Sequence, residues 1–310
     1  MNIALDIQGL THRYGKKTAL HDISFQVPQG AICGLVGPNG AGKTTLMSIV
    51  ASLLVPNKGE VRLFDHRLSE GRPPRGTLGI LPQEARLQGA TPVRTLLRWY
   101  ARLQGLTAAE AEREVERVLD LTDARKFAHQ IGRSLSAGMH KRVALAQLFI
   151  GSPRLLLLDE PTSALDMMTT QRIREIIREL GGKHTLLVSS HNIDEVQQVC
   201  DHVVLLDHGR VVRAGHLEEI SGHESRVTIT LTQIATTAQL QALSALDFID
   251  SIDSDNLRLR CELTAEQATV AGVARVVDAL HGEGMDFTQL QRGVRLEDRF
   301  EELTAEKPAT

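Results

Sequence analysis

The stretch Gly37-Pro38-Asn39-Gly40-Ala41-Gly42-Lys43-Thr44 decides which fold this 310-residue chain can form. It matches G-x-x-x-x-G-K-T, the phosphate-binding loop, at every fixed position. Glycines let backbone N–H groups approach a polyphosphate closely, and a helix that begins at the loop directs its positive dipole end toward the phosphates. In this chemistry Lys43 contacts the β- and γ-phosphates, and the Thr44 hydroxyl binds Mg²⁺. The stretch therefore predicts a nucleotide site.

Apolar runs on both sides of the loop support this interpretation. Ala31–Val36 predicts a buried strand before it, and Thr45–Val50 predicts a helix after it. Further along, the four leucines Leu155–Leu158 predict a strand that is buried on both faces of a parallel sheet. Asp159 and Glu160 follow at its carboxyl end, where α/β proteins bind ligands. Because adjacent strand residues point to opposite sides, we expect Asp159 to face the metal and Glu160 to polarise the attacking water, unless the strand has already ended.

Composition limits the classes of function. The hydrophobic content of 42% is enough for one large and one small domain, and the net charge of −3 gives no basic field for nucleic acid. Residues 222–310 carry 8 Lys/Arg against 15 Asp/Glu, which is a net charge of −7. Cys33, Cys200 and Cys261 lie far apart, which favours buried thiols and a reducing cytosol. The N-terminus has no signal-peptide pattern and no segment predicts a membrane span, so we expect any membrane part to be a separate chain.

Four other positions have two interpretations on local sequence alone. Tyr14 precedes a predicted turn and could stack on adenine or lie on a sheet surface. Gln83 ends a predicted strand, Gly79–Gln83, and indicates little by itself. Ser136 begins a helix whose free N–H groups would bind an anion or simply be capped. His191 directly follows a predicted buried strand and could contact a γ-phosphate or be structural.

Together these features make the sequence resemble the ATP-binding subunit of an ABC transporter, from about Met1 to Ile220. Seven motifs occur in the order and approximate spacing of that family, and the resemblance assigns the four open positions a functional role. The motifs are the adenine-stacking Tyr14, the Walker A loop Gly37–Thr44, the Q-loop Gln83, the signature LSAGM at Leu135–Met139, the Walker B sequence LLLLDE at Leu155–Glu160, the D-loop SALD at Ser163–Asp166 and the switch histidine His191.

The resemblance implies an α/β fold, the P-loop ABC cassette, with a RecA-like parallel core sheet, an antiparallel β subdomain and a helical subdomain. It implies ATP and Mg²⁺ as cofactors. Nucleotide would contact Tyr14, Gly37, Pro38, Asn39, Gly40, Ala41, Gly42, Lys43, Thr44 and Thr45, and Mg²⁺ would contact Thr44, Gln83 and Asp159. Catalysis would depend on Glu160, His191 and Gln83. A second subunit, docked head to tail, would supply Ser136, Ala137, Gly138 and Met139, and the D-loop residues are Ser163, Ala164, Leu165 and Asp166.

The signature departs from the usual LSGGQ, because Ala137 and Met139 replace Gly and Gln. Methionine here resembles the variant common in exporters of the drug- and antibiotic-resistance kind, while Ala137 adds a methyl group where backbone approaches phosphate. The resemblance implies a separately encoded transmembrane permease and a second ATP-binding subunit, most simply an identical one, with no nucleic-acid partner. The expected location is cytoplasmic, peripheral on the cytoplasmic face of the inner (plasma) membrane through the permease.

The pattern changes after the cassette, and we expect domains at 1–220 and 225–310. The second resembles the C-terminal extension of the same exporter subunits, with L-E-D-x-F-x-x-L-T at Leu296–Thr304, and predicts a small α+β domain. Its predicted elements are strands at Arg226–Leu231, Leu257–Leu263 and Met285–Gln291, a helix capped by Thr264–Gln267 with Val270, Val273, Val277 and Leu280 on one side, and a last helix with Leu296, Phe300 and Leu303. We expect a dimer-stabilising or regulatory role; the alternative is a structural appendage.

Two other classes of function share parts of this pattern. A soluble ABC ATPase that acts on ribosomes or DNA is one, but its translation type carries two cassettes and its repair type a long coiled-coil insertion, whereas this chain has one Walker A loop and no such insertion. A kinase or GTPase with the same loop is the other, and LSAGM before the Walker B strand argues against it. The transported substrate is not encoded here, since selectivity resides in the permease.

Overall fold

The computed structural model describes residues 2–85, 87, 89–221, 225–293 and 300. The chain divides into two units, Met1–Leu217 and Glu218–Thr310. The division between the units therefore lies close to residue 220, where the sequence analysis expects the first domain to end.

The first unit contains two sheets and a set of helices, and the strands and helices alternate along the chain. Its strands are β1 (Ile3–Tyr14), β2 (Lys17–Pro28), β3 (Ile32–Val36), β4 (Lys58–Leu63), β5 (His66–Arg67), β6 (Leu78–Leu81), β7 (Leu155–Asp159), β8 (Thr185–Ser190), β9 (His202–Asp207) and β10 (Arg210–His216). Its helices are α1 (Lys43–Val50), α2 (Val93–Leu103), α3 (Ala108–Leu121), α4 (Ala137–Leu148), α5 (Met167–Leu180) and α6 (Ile193–Val199), and α7 (Leu217–Ser221) spans the boundary between the units.

A mostly parallel sheet forms the centre of the first unit. Its strand order is β10-β9-β3-β8-β7-β6, in which only the β9–β10 pair is antiparallel. Every residue of β3, β7 and β8 is buried, because uninterrupted apolar runs such as Leu155–Leu158 face packed layers on both sides. The prediction of a doubly buried parallel strand at these leucines is confirmed.

A second sheet, with the order β2-β1-β4-β5, is antiparallel. The alternation of apolar and polar residues at 3–7 and 23–27 predicts paired strands only there, but β1 and β2 each extend over 12 residues. The difference arises from register shifts between Ile7 and Leu10 and between Leu10 and His12. Bulges of this kind break the two-residue alternation of side chains while the strands continue to pair.

Residues 92–122, whose apolar spacing predicts helical structure, form α2 and α3, and α4 packs against both. The sequence Thr107–Glu110 has the pattern of a capping box, and the structure forms it: the Thr107 side chain accepts from Glu110 N–H, and the Glu110 carboxylate accepts from Thr107 N–H. The apolar stripe of α3 is buried at Val115, Val118 and Leu119, as expected from its spacing. Trp99 remains 48% exposed.

The second unit has the element order β11 (Arg226–Leu231), α8 (Thr237–Ser244), β12 (Ile249–Asp255), β13 (Arg258–Leu263), α9 (Val270–Gly282) and β14 (Phe287–Arg292). Its antiparallel sheet has the order β12-β13-β11-β14. This βαββαβ arrangement is the ferredoxin-like topology. One face of the sheet packs in a core that includes Val227, Ile229, Leu259, Val276 and Leu280.

Several details of the second unit differ from the prediction. Thr264–Gln267 does not cap a long helix; α9 begins after Thr269, whose side chain accepts from Gly272 N–H. Val270 is 77% exposed, while Val276 and Leu280 are buried, so the buried face of α9 is rotated. The sequence analysis missed α8, and it also missed the edge strand β12, whose Asp and Ser residues give little hydrophobic signal. The predicted last helix lies outside the described residues apart from Phe300.

All three cysteines are free and buried, which confirms the prediction. Burial raises the pKa of the Cys261 thiol to about 12, and it also raises the pKa of Cys33 and Cys200, so the thiols stay protonated. Within the described residues, no helix is both long enough and apolar enough to cross a membrane.

We predict that Gly59→Ala destabilises the antiparallel sheet strongly. Gly59 has φ +87°, and a Cβ atom there would lie 2.4 Å from the Gly9 carbonyl oxygen. Gly15→Ala is the matched control, since Gly15 has φ +59° but open space around it. The control should lower the free energy of unfolding by about 1–2 kcal/mol, because of the left-handed backbone alone. Gly59→Ala should lower the free energy of unfolding by about 1–3 kcal/mol more than the control, because of the clash with Gly9 O. Denaturant unfolding measures both values, and equal values would contradict the prediction.

Candidate functional site

The glycine-rich loop connects β3 to α1, as the sequence predicts. Gly42 caps the helix with φ +105°, and a Cβ atom there would lie 2.7 Å from Leu20 Cδ2 and 3.0 Å from Ala19 O, so only glycine fits. No side chain caps the N-terminus of α1 in the structure. Its first N–H groups are therefore directed at the loop and available to an anion.

Lys43 lies below this loop and is only 7% exposed. Its Nζ donates to the carbonyl oxygens of Gly37 at 2.6 Å and Pro38 at 3.2 Å. Burial lowers the pKa of Lys43, while the nearby carboxylates of Glu160 and Asp159 oppose that shift. The ammonium is thus a buried charge with main-chain partners on one side and acids on the other.

A cavity of about 740 Å³ opens at the carboxyl edge of the parallel sheet. Most of the predicted nucleotide, metal and catalytic residues line it, although they come from distant parts of the sequence. These are Tyr14, Asn39, Gly40, Gly42, Lys43, Thr44, Thr45, Gln83, Asp159, Glu160 and His191. Gly37, Pro38 and Ala41 belong to the same loop but do not line the cavity. Tyr14 lines the cavity and is 50% exposed.

The sequence analysis missed several residues of this cavity. Lys17, Thr18, His21 and His208 also line it, around the rim that carries Tyr14. His208 reaches the rim because the β9–β10 turn is bonded to two other elements: Gly209 O accepts from His21 N–H at 2.7 Å, and Gly209 N–H donates to Ala41 O at 3.0 Å. No local pattern identifies such residues, since tertiary pairing alone brings the turn to the site.

Asp159 is the last residue of β7 and is 4% exposed. Ser189, its register partner on the neighbouring β8, donates from Oγ to Asp159 Oδ1 at 2.5 Å. The same hydroxyl accepts from Glu160 N–H at 3.0 Å. Ser189 was not predicted, although a fully buried serine in the apolar run Thr185–Ser189 was a signal that could have found it. The Ser189 hydroxyl therefore fixes the Asp159 carboxylate and accepts the hydrogen bond of the following backbone N–H, that of Glu160.

Glu160 lies outside the strand, so β7 has ended at Asp159. Its backbone has φ +48°, a left-handed conformation that is uncommon for a residue with a side chain and clusters at functional sites. This turn directs the carboxylate to His191, whose Nδ1 is 2.9 Å from both carboxylate oxygens. Since an ionised carboxylate only accepts, Nδ1 carries the proton in this pair. The structure thus brings together two residues that are 31 positions apart.

Lys141, on α4, is a second buried cation that the sequence analysis missed. It is 7% exposed, and its Nζ donates to Glu160 O at 3.3 Å and approaches Gln83 O at 3.5 Å. Burial lowers its pKa, and Asp159 and Glu160 oppose the shift. Gln83 itself is exposed and follows β6, which ends at Leu81 rather than at Gln83 because Pro82 has no N–H to continue the pairing.

The signature residues lie apart from the cavity. Ser136 caps α4, where its Oγ accepts from Met139 N–H at 3.3 Å, and both Ser136 and Ala137 are exposed. Among the described residues, none of 136–139 and none of the D-loop residues 163–166 lines the cavity. The D-loop is held by Ser163 Oγ, which donates to Glu160 O at 3.0 Å, and by Asp166, which caps α5 through Thr169 N–H.

The site suits a hard cation that is bound together with an anionic ligand. The described residues contain no cluster of three or more His, Cys, Asp or Glu side chains that could enclose a metal. Thr44, Gln83 and Asp159 instead offer one hydroxyl, one amide and one carboxylate oxygen around the cavity. This sparse oxygen set fits Mg²⁺, which typically takes one or two carboxylates together with phosphate and water oxygens.

Comparison with known proteins gives a consistent result. The family description "ABC transporter" matches residues 20–163. The chain is similar to a daunorubicin resistance ATP-binding protein of Streptomyces coeruleorubidus, at 30% identity over 98% of this chain and 96% of the relative. It is equally similar to a Nod factor export ATP-binding protein of Ralstonia nicotianae, at 30% identity over 97% and 93% of the two chains. A solved structure of cbiO1 from Clostridium perfringens superposes with a TM-score of 0.65, at 28% identity over 71% of this chain and 91% of that one.

We predict that Ser189→Ala destabilises the fold by about 1–3 kcal/mol, because it leaves the buried Asp159 carboxylate and the Glu160 N–H without a shared partner. Ser134→Ala is the control, since Ser134 is exposed and its hydroxyl donates to Ile131 O, its one hydrogen-bond partner among the described residues. The control should change the free energy of unfolding by less than about 0.5 kcal/mol. Urea unfolding of the two variants measures the difference, and equal values would show that Ser189 has no such role.

Proposed function

The chain belongs to the ABC transporter family as an ATP-binding subunit of the exporter type, and from this premise we propose how it works. It binds ATP with Mg²⁺ in the cavity of the first unit, pairs head to tail with a second cassette, and hydrolyses ATP to drive a separately encoded permease. One observation carries the proposal: Lys43, Asp159, Glu160 and His191 line one cavity, while the signature residues lie elsewhere on the same chain.

Binding follows from the charges at the carboxyl edge of the sheet. The α1 N-terminus and Lys43 attract the phosphates, and Tyr14 offers its exposed ring to the base. Thr44, Gln83 and Asp159 would hold Mg²⁺, which when bound neutralises phosphate charge and orients the γ-phosphate. Lys43 is already desolvated, so its attraction to an incoming phosphate is stronger than that of a solvated lysine.

Hydrolysis requires a base that orients water and a group that stabilises the γ-phosphate. Glu160 is the candidate for the first role, because its carboxylate lines the cavity while its backbone is fixed by Ser189 and Lys141. His191 donates to this carboxylate through Nδ1, and in the doubly protonated imidazolium form its Nε2–H donates to the γ-phosphate. The pair thus supplies a positioned acceptor and a positioned donor on the same side of the nucleotide.

The site is incomplete within one chain, which is why a second cassette enters the proposal. Ser136 and Ala137 are exposed at the N-terminus of α4, where N–H groups and the helix dipole favour an anion. A partner in head-to-tail orientation presents this end to the γ-phosphate, so two nucleotides are buried between two chains. Loss of the γ-phosphate removes the charge that joins them and lets the pair open.

The partner and the direction of transport are inferred from relatives. Proteins named for daunorubicin resistance and for Nod factor export match nearly the whole chain, including its second unit. This supports an exporter subunit that attaches to a permease on the cytoplasmic face of the membrane, with identical cassettes in the pair. Copurification with a multi-span membrane protein tests this arrangement, whereas stable copurification with ribosomes or DNA would favour a soluble ABC ATPase instead.

We predict that Glu160→Gln traps the paired state. The amide keeps the shape of the site but cannot accept a proton, so bound ATP persists and the dimer accumulates. Particle mass at saturating MgATP should double for this variant. The control is the double variant Lys43→Ala with Glu160→Gln, which should stay at the mass of one chain. A Glu160→Gln chain that remains single with bound ATP, alone and with its permease, would contradict the proposal.

The second unit is proposed to stabilise or regulate the pair. Its ferredoxin-like sheet has its own buried core and carries none of the residues that line the nucleotide cavity, among those described. Removal of residues 222–310 should therefore lower the ATP-dependent dimer fraction while nucleotide affinity stays within about twofold, as the binding site is separate. Unchanged dimerisation, ATPase rate and transport would leave the unit as a structural appendage.

A further inference from the structure

A partly buried carboxylate on α6 connects the chain segments that carry Glu160 and His191. Glu195 lies in the first turn of α6, and its side chain is 18% exposed. Its Oε2 accepts from Thr162 Oγ1 at 2.7 Å and from Ser190 Oγ at 3.2 Å. Its Oε1 accepts from Arg174 Nη2 at 2.9 Å. One side chain therefore joins α6 with three other parts of the first unit.

Two of these partners are close in sequence to the reacting residues. Thr162, which is 8% exposed, lies two positions after Glu160, and Ser190, which is 2% exposed, directly precedes His191. The Ser190 hydroxyl also accepts from Asn192 N–H at 3.0 Å, so the backbone is held on both sides of His191. Glu195 therefore joins the segments of Glu160 and His191, whose side chains are 2.9 Å apart, in addition to the β7–β8 pairing that ends at Asp159 and Ser189.

Arg174 is the third partner of the Glu195 carboxylate. It donates to Glu195 from Nη2 and to Gln198 Oε1 from Nη1 at 2.9 Å, and its side chain is 17% exposed. An ion pair this far removed from solvent holds its geometry better than a surface pair. Since Arg174 is on α5, directly after the D-loop, the carboxylate also fixes the helix that the D-loop begins.

The local sequence suggests a different role for this side chain. Asn192-Ile193-Asp194-Glu195 reads as a capping box, in which Glu195 would accept from the N–H of Asn192. Only half of the box forms: Asn192 Oδ1 accepts from Glu195 N–H at 3.1 Å, while Asn192 N–H donates to Ser190 Oγ. The Glu195 carboxylate instead bonds to Thr162, Ser190 and Arg174. It therefore connects segments next to the site and does not cap the helix.

We propose that Glu195 is a positioning residue for ATP hydrolysis, which acts by holding the Glu160 and His191 segments at their working separation. The inference rests on the proposed function, because it assigns Glu195 to the step that Glu160 and His191 carry out. Nucleotide binding uses α1 and the glycine-rich loop, neither of which Glu195 contacts in the described structure. Its loss should consequently lower kcat and leave KM for ATP nearly unchanged.

The test measures steady-state ATPase activity of the full chain with MgATP. Glu195→Ala should lower kcat roughly 10- to 100-fold, the range expected when a reacting group is displaced by about 1 Å. Glu195→Gln should retain more activity than Glu195→Ala, because the amide still bonds to one of its partners. Asp194→Ala is the matched control, since it removes an exposed acid from the same first turn of α6. A control that loses as much activity as Glu195→Ala would overturn the inference.

A second arm separates positioning from general destabilisation. In a His191→Ala background, measured under single-turnover conditions, Glu195→Ala should cause less than about a twofold further loss, because residues that act as a unit are not additive. The same fold-loss of activity in both backgrounds would overturn the inference.

If Glu195→Ala does not fold, Ser190→Ala and Thr162→Val each remove one hydrogen-bond partner of Glu195. Unchanged kcat in both variants would overturn the inference. A wild-type chain without MgATP hydrolysis would refute the proposed function itself, which is a distinguishable result.

Discussion

Burial of ionised groups at the carboxyl edge of the parallel sheet is the constraint on which the rest of the structure depends. Lys43, Asp159, Glu160 and Lys141 are all less than 9% exposed, and an isolated charge at such a position would be strongly destabilising. Each has a partner: loop carbonyl oxygens for Lys43, Ser189 for Asp159, His191 for Glu160, and the Glu160 carbonyl for Lys141. The partners lie in the glycine-rich loop, in β8 and directly after β7 and β8, so these charges are compensated only when the strands have paired.

The same edge explains why the functional parts are divided between two surfaces. The cavity collects the phosphate loop, both acids and the switch histidine, while the signature lies at the exposed start of a helix with no access to that cavity in the described residues. A chain of this kind binds nucleotide on one surface and offers an anion-binding helix end on another. Under the proposed function, a second cassette covers the exposed Ser136 and Ala137. The methyl group of Ala137 lies on that surface and adds bulk where the partner's phosphate would approach.

Hydrogen bonds inside one chain also link the central sheet, the D-loop and the signature helix α4. The Glu160 main chain bonds to Ser189, Ser163 and Lys141, which belong to the sheet, the D-loop and the signature helix. Glu195 adds a second connection, from α6 to the segments on either side of the site and to α5. Under the proposed function, this network connects the nucleotide site to the D-loop and to the signature helix. The second unit, with its own core, contributes no side chain to this described network.

The sequence alone determined the phosphate loop, the buried leucine strand with its two acids, and the helix caps at Thr107, Ser136 and Asp166, because each is a local pattern with a local physical cause. It also indicated the order of motifs from which the family could be named. It could not determine which distant residues support those motifs: Ser189, Lys141 and Glu195 act through partners on other elements, and the capping pattern at Asn192–Glu195 pointed to the wrong use of the glutamate. Only the tertiary structure decided that β7 ends before Glu160, that β1 and β2 continue through bulges, and that α9 begins at Val270. Hydrogen-bond partners and strand ends depend on which segments meet across the fold, and short-range periodicity carries no information about that.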